Sequence, residues 1–291
     1  MTRCGHVALA GLPNVGKSSL MNALVGEPLA MVSPKAQATR HPVVGLRTEG
    51  EVQYVFHDLP GLLEPRYLLH ERMRALALDT LAQADVVLHL HPGPEAPAPD
   101  LVTSAHLDRP PRAPVLTVYT KADLVPAAQR PGGAGAALWV SSTTGEGIPE
   151  LLAALVPLLP EGPFQFAPDD LGTQPMRFFV VEYLREAAFE LLEDELPYAF
   201  QAEVEEFREE RTPVYIRTTL FVESESQKGI LIGKQGRTLK AIGARARQRL
   251  ERLLGTPVYL ETWVKVLPKW RKSAEALARF GFPRASTEET S

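Results

Sequence analysis

Short apolar runs and amphipathic stretches alternate from residue 3 to residue 160. Val7–Ala10, Gln53–Asp58, Val86–Leu90, Pro114–Thr120 and Ala137–Ser142 are nearly continuous in apolar and β-branched residues, the pattern of strands covered on both faces. Between them a helical period predicts helices over Lys17–Val25, Tyr67–Ala82 and Ile148–Leu158, the last with Leu151, Leu152, Leu155 and Leu158 on one face. This order predicts an α/β domain, a mostly parallel sheet with helices on both faces. Beyond it the order changes to a helix at Met176–Glu195, strands at Phe200–Arg208 and Val214–Glu223, a glycine-punctuated turn at Gly229–Gly236, a helix at Arg237–Leu254 and a strand at Val258–Leu267. That is an α+β order with too few alternations for a second parallel sheet.

Residues 92–112 and 126–135 are rich in Pro, Gly and Ala and read as surface excursions, the first with a short helix around Leu101–Leu107. The proline-punctuated Pro160–Asp170 reads as the linker. The expected organisation is a first domain over 1–163, a linker over 164–175, a second domain over 176–268, and a basic tail over 269–291 whose last residues, 285–291, are expected to be disordered.

A length of 291 residues fits two domains. The lone Cys4 excludes an intramolecular disulfide, and no Cys/His cluster offers a zinc site. The apolar run Val7–Ala10 is too short for a secretory signal, and the run around Leu151–Leu159 is interrupted by Pro157 and far short of a membrane span. A cytoplasmic protein is expected, with attachment to the inner face of the cell membrane through the basic tail as a weaker alternative.

Gly11-Leu12-Pro13-Asn14-Val15-Gly16-Lys17-Ser18 matches GxxxxGK[ST] between a strand and a helix, the setting in which backbone N–H groups and a helix N-terminus cradle phosphates. In this loop Lys17 supplies a cation to the β- and γ-phosphates and Ser18 a hydroxyl to Mg²⁺, with Ser19 following at the helix start. Asp58-Leu59-Pro60-Gly61 ends the next strand: Asp58 can reach Mg²⁺ through water, and Gly61 lets a backbone N–H approach the γ-phosphate. In the aperiodic Ser33–His41 segment between them, Thr39 is the hydroxyl placed to complete Mg²⁺ coordination, which makes that segment a candidate switch loop; an ordinary solvated Thr is the alternative. Lys17, Thr39 and Gly61 are the expected catalytic groups.

Thr120-Lys121-Ala122-Asp123 and Ser141-Ser142-Thr143 end two further strands, where an open α/β sheet binds its ligand. A carboxylate at Asp123 can accept from N1–H and the exocyclic amine of guanine; adenine lacks that donor pair, so GTP and GDP are the expected ligands.

Taken in order, GLPNVGKS, Thr39, DLPG, TKAD and SST resemble the translation-factor-like class of P-loop GTPases, and AMVSPKAQATRH with the later elements is similar to the Era family of ribosome-assembly GTPases. The resemblance implies slow GTP hydrolysis, because Leu62 stands where Ras-like enzymes carry a catalytic Gln, and K⁺-stimulated turnover with Asn14 as a ligand. Three positions depart from the family pattern. Thr120 replaces Asn, weakening a contact to the base and the P-loop; Ser142 replaces an Ala whose backbone N–H binds the guanine oxygen; Ala38 replaces a Thr.

In the second domain Gly233-Lys234-Gln235-Gly236 follows an apolar turn and precedes an amphipathic helix with Leu239, Ile242, Ala246 and Leu250 facing inward. This is the arrangement of a KH domain, here of type II, whose GxxG loop clamps nucleic-acid backbone. Ile230 and Ile232 are expected to line the base groove, and Lys234, Gln235, Arg237, Lys240, Lys269, Arg271 and Lys272 to contact RNA. Trp270 and Phe280 stack or pack. The likeness of Leu192–Phe207 and Val264–Phe282 to Era implies the 3′ end of small-subunit ribosomal RNA as ligand and the 30S subunit as partner, with the chain a monomer.

The whole chain has a formal charge of −4, yet 228–284 carries 14 basic against three acidic residues, a net of +11, while 1–171 sums to −5. The segregation fits phosphate-backbone binding by the second domain. The competing reading is an RNA-binding protein with a degenerate nucleotide domain. His89 and His91 share a strand without a third ligand, so core or surface placement is expected for them rather than metal binding.

Overall fold

The computed structural model describes residues 1–131 and 138–282, and its contacts divide the chain into two units, 1–66 with 70–173 and 67–69 with 174 onward. The first contains β1 (Arg3–Ala10), α1 (Lys17–Val25), β2 (Val43–Glu49), β3 (Val52–Asp58), most of α2 (Leu68–Gln83), β4 (Val86–Pro92), the one-turn α3 (Leu101–Ser104), β5 (Val115–Thr120), β6 (Leu138–Trp139) and α4 (Ile148–Leu155). The strands form one sheet in the order β2-β3-β1-β4-β5-β6, parallel except for the β2–β3 pair. Strand side chains alternate between faces, so helices cover both. Ala8, Ala10 and Val87 pack with Ala77 and Leu81 of α2. On the opposite face the Tyr54 hydroxyl donates to Leu152 O of α4 at 3.2 Å.

The antiparallel edge strand β2 is absent from the sequence expectation, because Gly45 and Arg47 interrupt its apolar run. Gly45 sits against α1, where a Cβ would lie 2.6 Å from Val25 Cγ2.

The outer edge of β2 is itself covered by the chain that leaves the last helix. Leu46 N–H donates to Leu171 O at 2.8 Å, and Gly45 bridges Gly172. Phe164 and Phe166 pack on Cys4, Leu46 and Val55. The buried Gln53 amide fixes them: Nε2 donates to Phe166 O at 2.9 Å, and Oε1 accepts from Gln165 N–H at 2.9 Å and Phe166 N–H at 3.1 Å. Much of the stretch read as linker is thus fastened to the first unit.

The second unit contains α5 (Met176–Leu191), the one-turn α6 (Leu196–Ala199), β7 (Gln201–Arg208), β8 (Val214–Val222), α7 (Glu225–Ile232), α8 (Arg237–Leu254), β9 (Val258–Val266) and α9 (Ala274–Arg279). Its sheet runs β7-β8-β9, with β7 antiparallel and β9 parallel to β8. Val180, Leu184 and Ala187 of α5 and Ile242, Ala246 and Leu250 of α8 are buried in one core with Ile216, Leu220 and Val222 of β8.

One expectation is corrected here: the apolar turn before the GxxG is a helix, α7, so the loop joins two helices and does not follow a strand. The described part of the basic tail forms two short helical pieces. Lys269 has φ of 53°, a single turn spans Trp270–Lys272, and α9 follows. Trp270 and Phe280 are buried, the Trp270 indole N–H donating to Ala199 O at 2.8 Å, so both pack. Ala137, residues 132–135 of the second excursion, Arg284 and the 285–291 tail lie outside the described residues.

Candidate functional site

β1 ends at Ala10 and the chain turns through Gly11–Gly16 into α1, which puts the loop at the carboxyl end of an interior parallel strand. Gly11 has φ of +151°, and a Cβ there would lie 2.6 Å from Leu90 O, so no larger residue fits. The buried Lys17 ammonium donates to Gly11 O at 3.2 Å and Leu12 O at 2.8 Å. Burial pushes its pKa down to about 8, with the Asp58 carboxylate opposing the shift. An anionic oxygen entering the loop can replace those two carbonyls as acceptor and restore the cation.

Beside it three oxygens converge from three segments. Ser18 Oγ donates to Asp58 Oδ2 at 2.6 Å, Thr39 Oγ1 lies 3.2 Å from that oxygen, and the two hydroxyls are 3.1 Å apart. Two hydroxyls and a carboxylate are hard oxygen donors of the kind Mg²⁺ takes alongside phosphate oxygens, and the donor set fits that ion. Thr39 thus meets the P-loop as its place in the chain predicts.

A cavity of about 430 Å³ opens over this group, and Asn14, Gly16, Lys17, Ser18, Ser19, Thr39, Gly61 and Lys121 are among its walls. Asn14 ties the P-loop to the switch segment, its Nδ2 donating to Pro34 O at 3.0 Å. Leu62 is fully buried with Leu59 and Ala10, and no side chain at that position faces the cavity.

At the base end Thr120, buried at the tip of β5, donates its hydroxyl to Val15 O at 2.5 Å, and Lys121 Nζ donates to Asn14 O at 3.1 Å. The exposed Asp123 accepts from Ser141 Oγ at 2.6 Å, and that hydroxyl in turn accepts from Thr143 N–H at 3.3 Å. Ser142 lies between them.

In the second unit the Gly233–Gly236 loop leaves α7 and enters α8. Lys234, Gln235, Arg237 and Lys240 are exposed around it, Ile230 is 58% exposed, and Ile232 is half-buried. Many of the basic residues counted in the sequence are neutralised in place. Arg245 and Arg249 pair with Glu190, Arg249 also with Glu186, Lys265 with Glu205, Arg271 with Glu223 and Arg279 with Glu203. Lys234, Arg237, Lys240, Lys269 and Lys272 make no ion pair with any described residue.

Residues 6–121 match the family model described as 50S ribosome-binding GTPase, and residues 195–271 match that of the KH domain. The chain is 37% identical to GTPase Era of Carboxydothermus hydrogenoformans over 96% of its own length and 98% of that protein. It is 39% identical to GTPase Era of Geobacter sp., again over 96% of this chain and 98% of the relative. The chain belongs to the Era family of GTPases. Its fold matches two solved Era structures at a TM-score of 0.88. One is a point variant of Aquifex aeolicus Era bound to GDP·AlF4⁻, 34% identical and covering 97% of this chain and 100% of that one. The other is Era in complex with MgGDPNP and nucleotides 1506–1542 of 16S ribosomal RNA, 33% identical and covering 98% of this chain and 100% of that one.

This Era-family chain uses residues at the base end that sequence reasoning missed. Arg130, in a stretch read only as a surface excursion, braces the two base loops. Its guanidinium donates to Ala122 O at 2.9 Å and Val125 O at 3.0 Å, and pairs with Glu146 at 2.5 Å. No motif marks it; an Arg in a Pro/Gly-rich loop opposite a Glu past the SST is the only hint. His89 is buried within reach of Ser104 Oγ, and His91 of Glu95 O, and no group of three His, Cys, Asp or Glu placed to hold a metal occurs among the described residues.

Proposed function

We propose that this GTPase is a switch that binds the single-stranded 3′ end of small-subunit ribosomal RNA through its GxxG loop and acts in assembly of the 30S subunit, working as a monomer. The observation that carries the reading is the exposed Lys234, Arg237 and Lys240 around Gly233–Gly236, which pair with no described acid, in a chain whose other domain gathers Lys17, Ser18, Thr39 and Asp58 into one phosphate site. The relative solved with 16S nucleotides supports the choice of RNA. Unstacked bases can lie along a KH groove, whereas a duplex cannot enter it.

Mg²⁺, held by Ser18 and Thr39 and by Asp58 through water, would neutralise charge on the β- and γ-phosphates. Lys17 binds the same oxygens, and Gly61 offers its N–H to the γ-phosphate. Water attacks the γ-phosphorus, the bond to the bridging oxygen breaks, and GDP and phosphate leave. With Leu62 buried, no side chain at that position orients the water, so basal turnover is slow. Asn14 donates one amide N–H to Pro34 O, which leaves Oδ1 as an acceptor for K⁺ beside the phosphates.

GTP turnover measured with and without an RNA carrying the small-subunit 3′ end tests the reading. RNA should stimulate turnover, and K234E should remove the stimulation. An RNA affinity identical with GTP, with GDP and without nucleotide would show that the domains are uncoupled. The same assay in sodium and in potassium reads Asn14: equal rates would remove it as a K⁺ ligand.

A further inference from the structure

The family's Asn-Lys-x-Asp motif begins here with Thr120, and the hydrogen bonds around that residue fix what the exchange does. Thr120 is 2% exposed at the end of β5. Its hydroxyl donates to Val15 O at 2.5 Å, and the other polar atom in reach, His91 O at 3.4 Å, is also a carbonyl acceptor. A hydroxyl carries one proton, and Thr120 directs it at the P-loop. The side chain faces the same way: a Cβ built on Gly16 would sit 3.7 Å from both Thr120 Cβ and Oγ1. Lys121 points its ammonium at the neighbouring carbonyl, Asn14 O, at 3.1 Å. Two consecutive residues of the base motif therefore hold two consecutive carbonyls of the P-loop.

Guanine N7 is an acceptor and needs a donor. An Asn carboxamide has two N–H groups and can serve a carbonyl and a second acceptor together, whereas a Thr hydroxyl cannot. We propose that Thr120 is a positioning residue for the P-loop that gives guanine N7 no hydrogen bond, so that this chain selects guanine without its imidazole side, through the Watson–Crick edge at Asp123 and the Ser141–Thr143 loop. The substitution thus does not weaken the tie to the P-loop; it keeps that tie and gives up the contact to the imidazole side of the base. Asp123 and the Ser141–Thr143 loop carry recognition, and the Arg130–Glu146 brace holds those two loops together.

The inference rests on the guanine-nucleotide reading of the site, and one set of titrations separates the two. Affinities of the full-length chain for GDP, 7-deaza-GDP and ADP are measured for the wild type, T120N and T120V. The 7-deaza analogue has a C–H in place of N7 and leaves the Watson–Crick edge intact. The wild type should bind GDP and 7-deaza-GDP within about twofold of each other, and T120N should prefer GDP about five- to tenfold, the worth of one hydrogen bond. T120V, which loses the Val15 tie, should weaken both by the same factor. A wild type that binds 7-deaza-GDP fivefold or more weakly than GDP overturns the inference, as does a T120N protein that fails to discriminate or a T120V protein that weakens GDP alone. Should T120N not fold, the wild-type ratio decides. Binding of ADP with neither guanine nucleotide overturns the guanine reading and the inference with it.

Discussion

His57 and His89 show what burial in the first sheet does to a single residue. His57 Nε2 lies 2.9 Å from His6 Nδ1, and burial together with that neighbour lowers its pKa to about 4; burial, with His91 nearby, lowers that of His89 as well. In the unfolded chain both titrate near the ordinary value of about 6.5. As pH falls through that value the unfolded state takes up protons first, so stability is lost progressively from about pH 6.5 down to about 4, where folded His57 charges too. Thermal melts across this range should show the loss, and H89Q should reduce it while leaving the His57 share; a melting temperature constant from pH 7 to 5 would contradict the assignment. Legibility differs sharply at this scale. Lys17 and Ser18 are plain in the sequence because a motif fixes both their type and their order, whereas Thr39 rests only on its place between two motifs. The direction of the Thr120 proton is not plain there, because it depends on a carbonyl 105 residues away.

The GxxG loop is decided at the scale of the element. Gly233 has φ of +71°, and a Cβ there would lie 2.3 Å from Thr238 Oγ1 and 3.0 Å from Thr238 N, in the first turn of α8. Gly236 has a similar φ of +76° but meets nothing closer than Lys240 Cε at 3.9 Å. G233A should therefore cost about 2 kcal/mol or more and displace the loop, and G236A about 1 kcal/mol, the cost of the backbone alone. Urea denaturation of the two variants, with RNA affinity measured beside it, checks the order. Most elements were legible in the sequence because a long period defines them, as in α5 and α8. Those that were not, β2, α6 and α7 among them, are short. β2 hides behind Gly45, and α7 behind Gly229 and the run Ile230–Ile232, which reads as a turn. A signal for α7 was present in Ser224-x-x-Gln227. Ser224 Oγ accepts from Gln227 N–H at 3.2 Å, the hydroxyl half of a capping box, and Gln227 Oε1 reaches one residue further back to accept from Glu223 N–H at 2.8 Å.

Over the whole molecule, charge segregation and charge pairing must be read together. The +11 segment sits beside the acidic residues of α5 and β7 and Glu223 just past β8, and ion pairs with Glu186, Glu190, Glu203, Glu205 and Glu223 consume much of it. The residual charge lies around the GxxG loop, at Lys269 and Lys272, and at Arg252 in the last turn of α8. A different property follows from Gln53 and the strand edge it helps to cover. Excision of the nucleotide domain after residue 163 would strip Phe164 and Phe166 from Leu46 and Val55 and leave the N–H of Leu46 without Leu171 O. Such a fragment would carry a bare β edge next to fresh apolar surface, the combination that seeds aggregation. A fragment ending at residue 173 keeps its own selvage, and light scattering should find it monodisperse where the shorter one clumps.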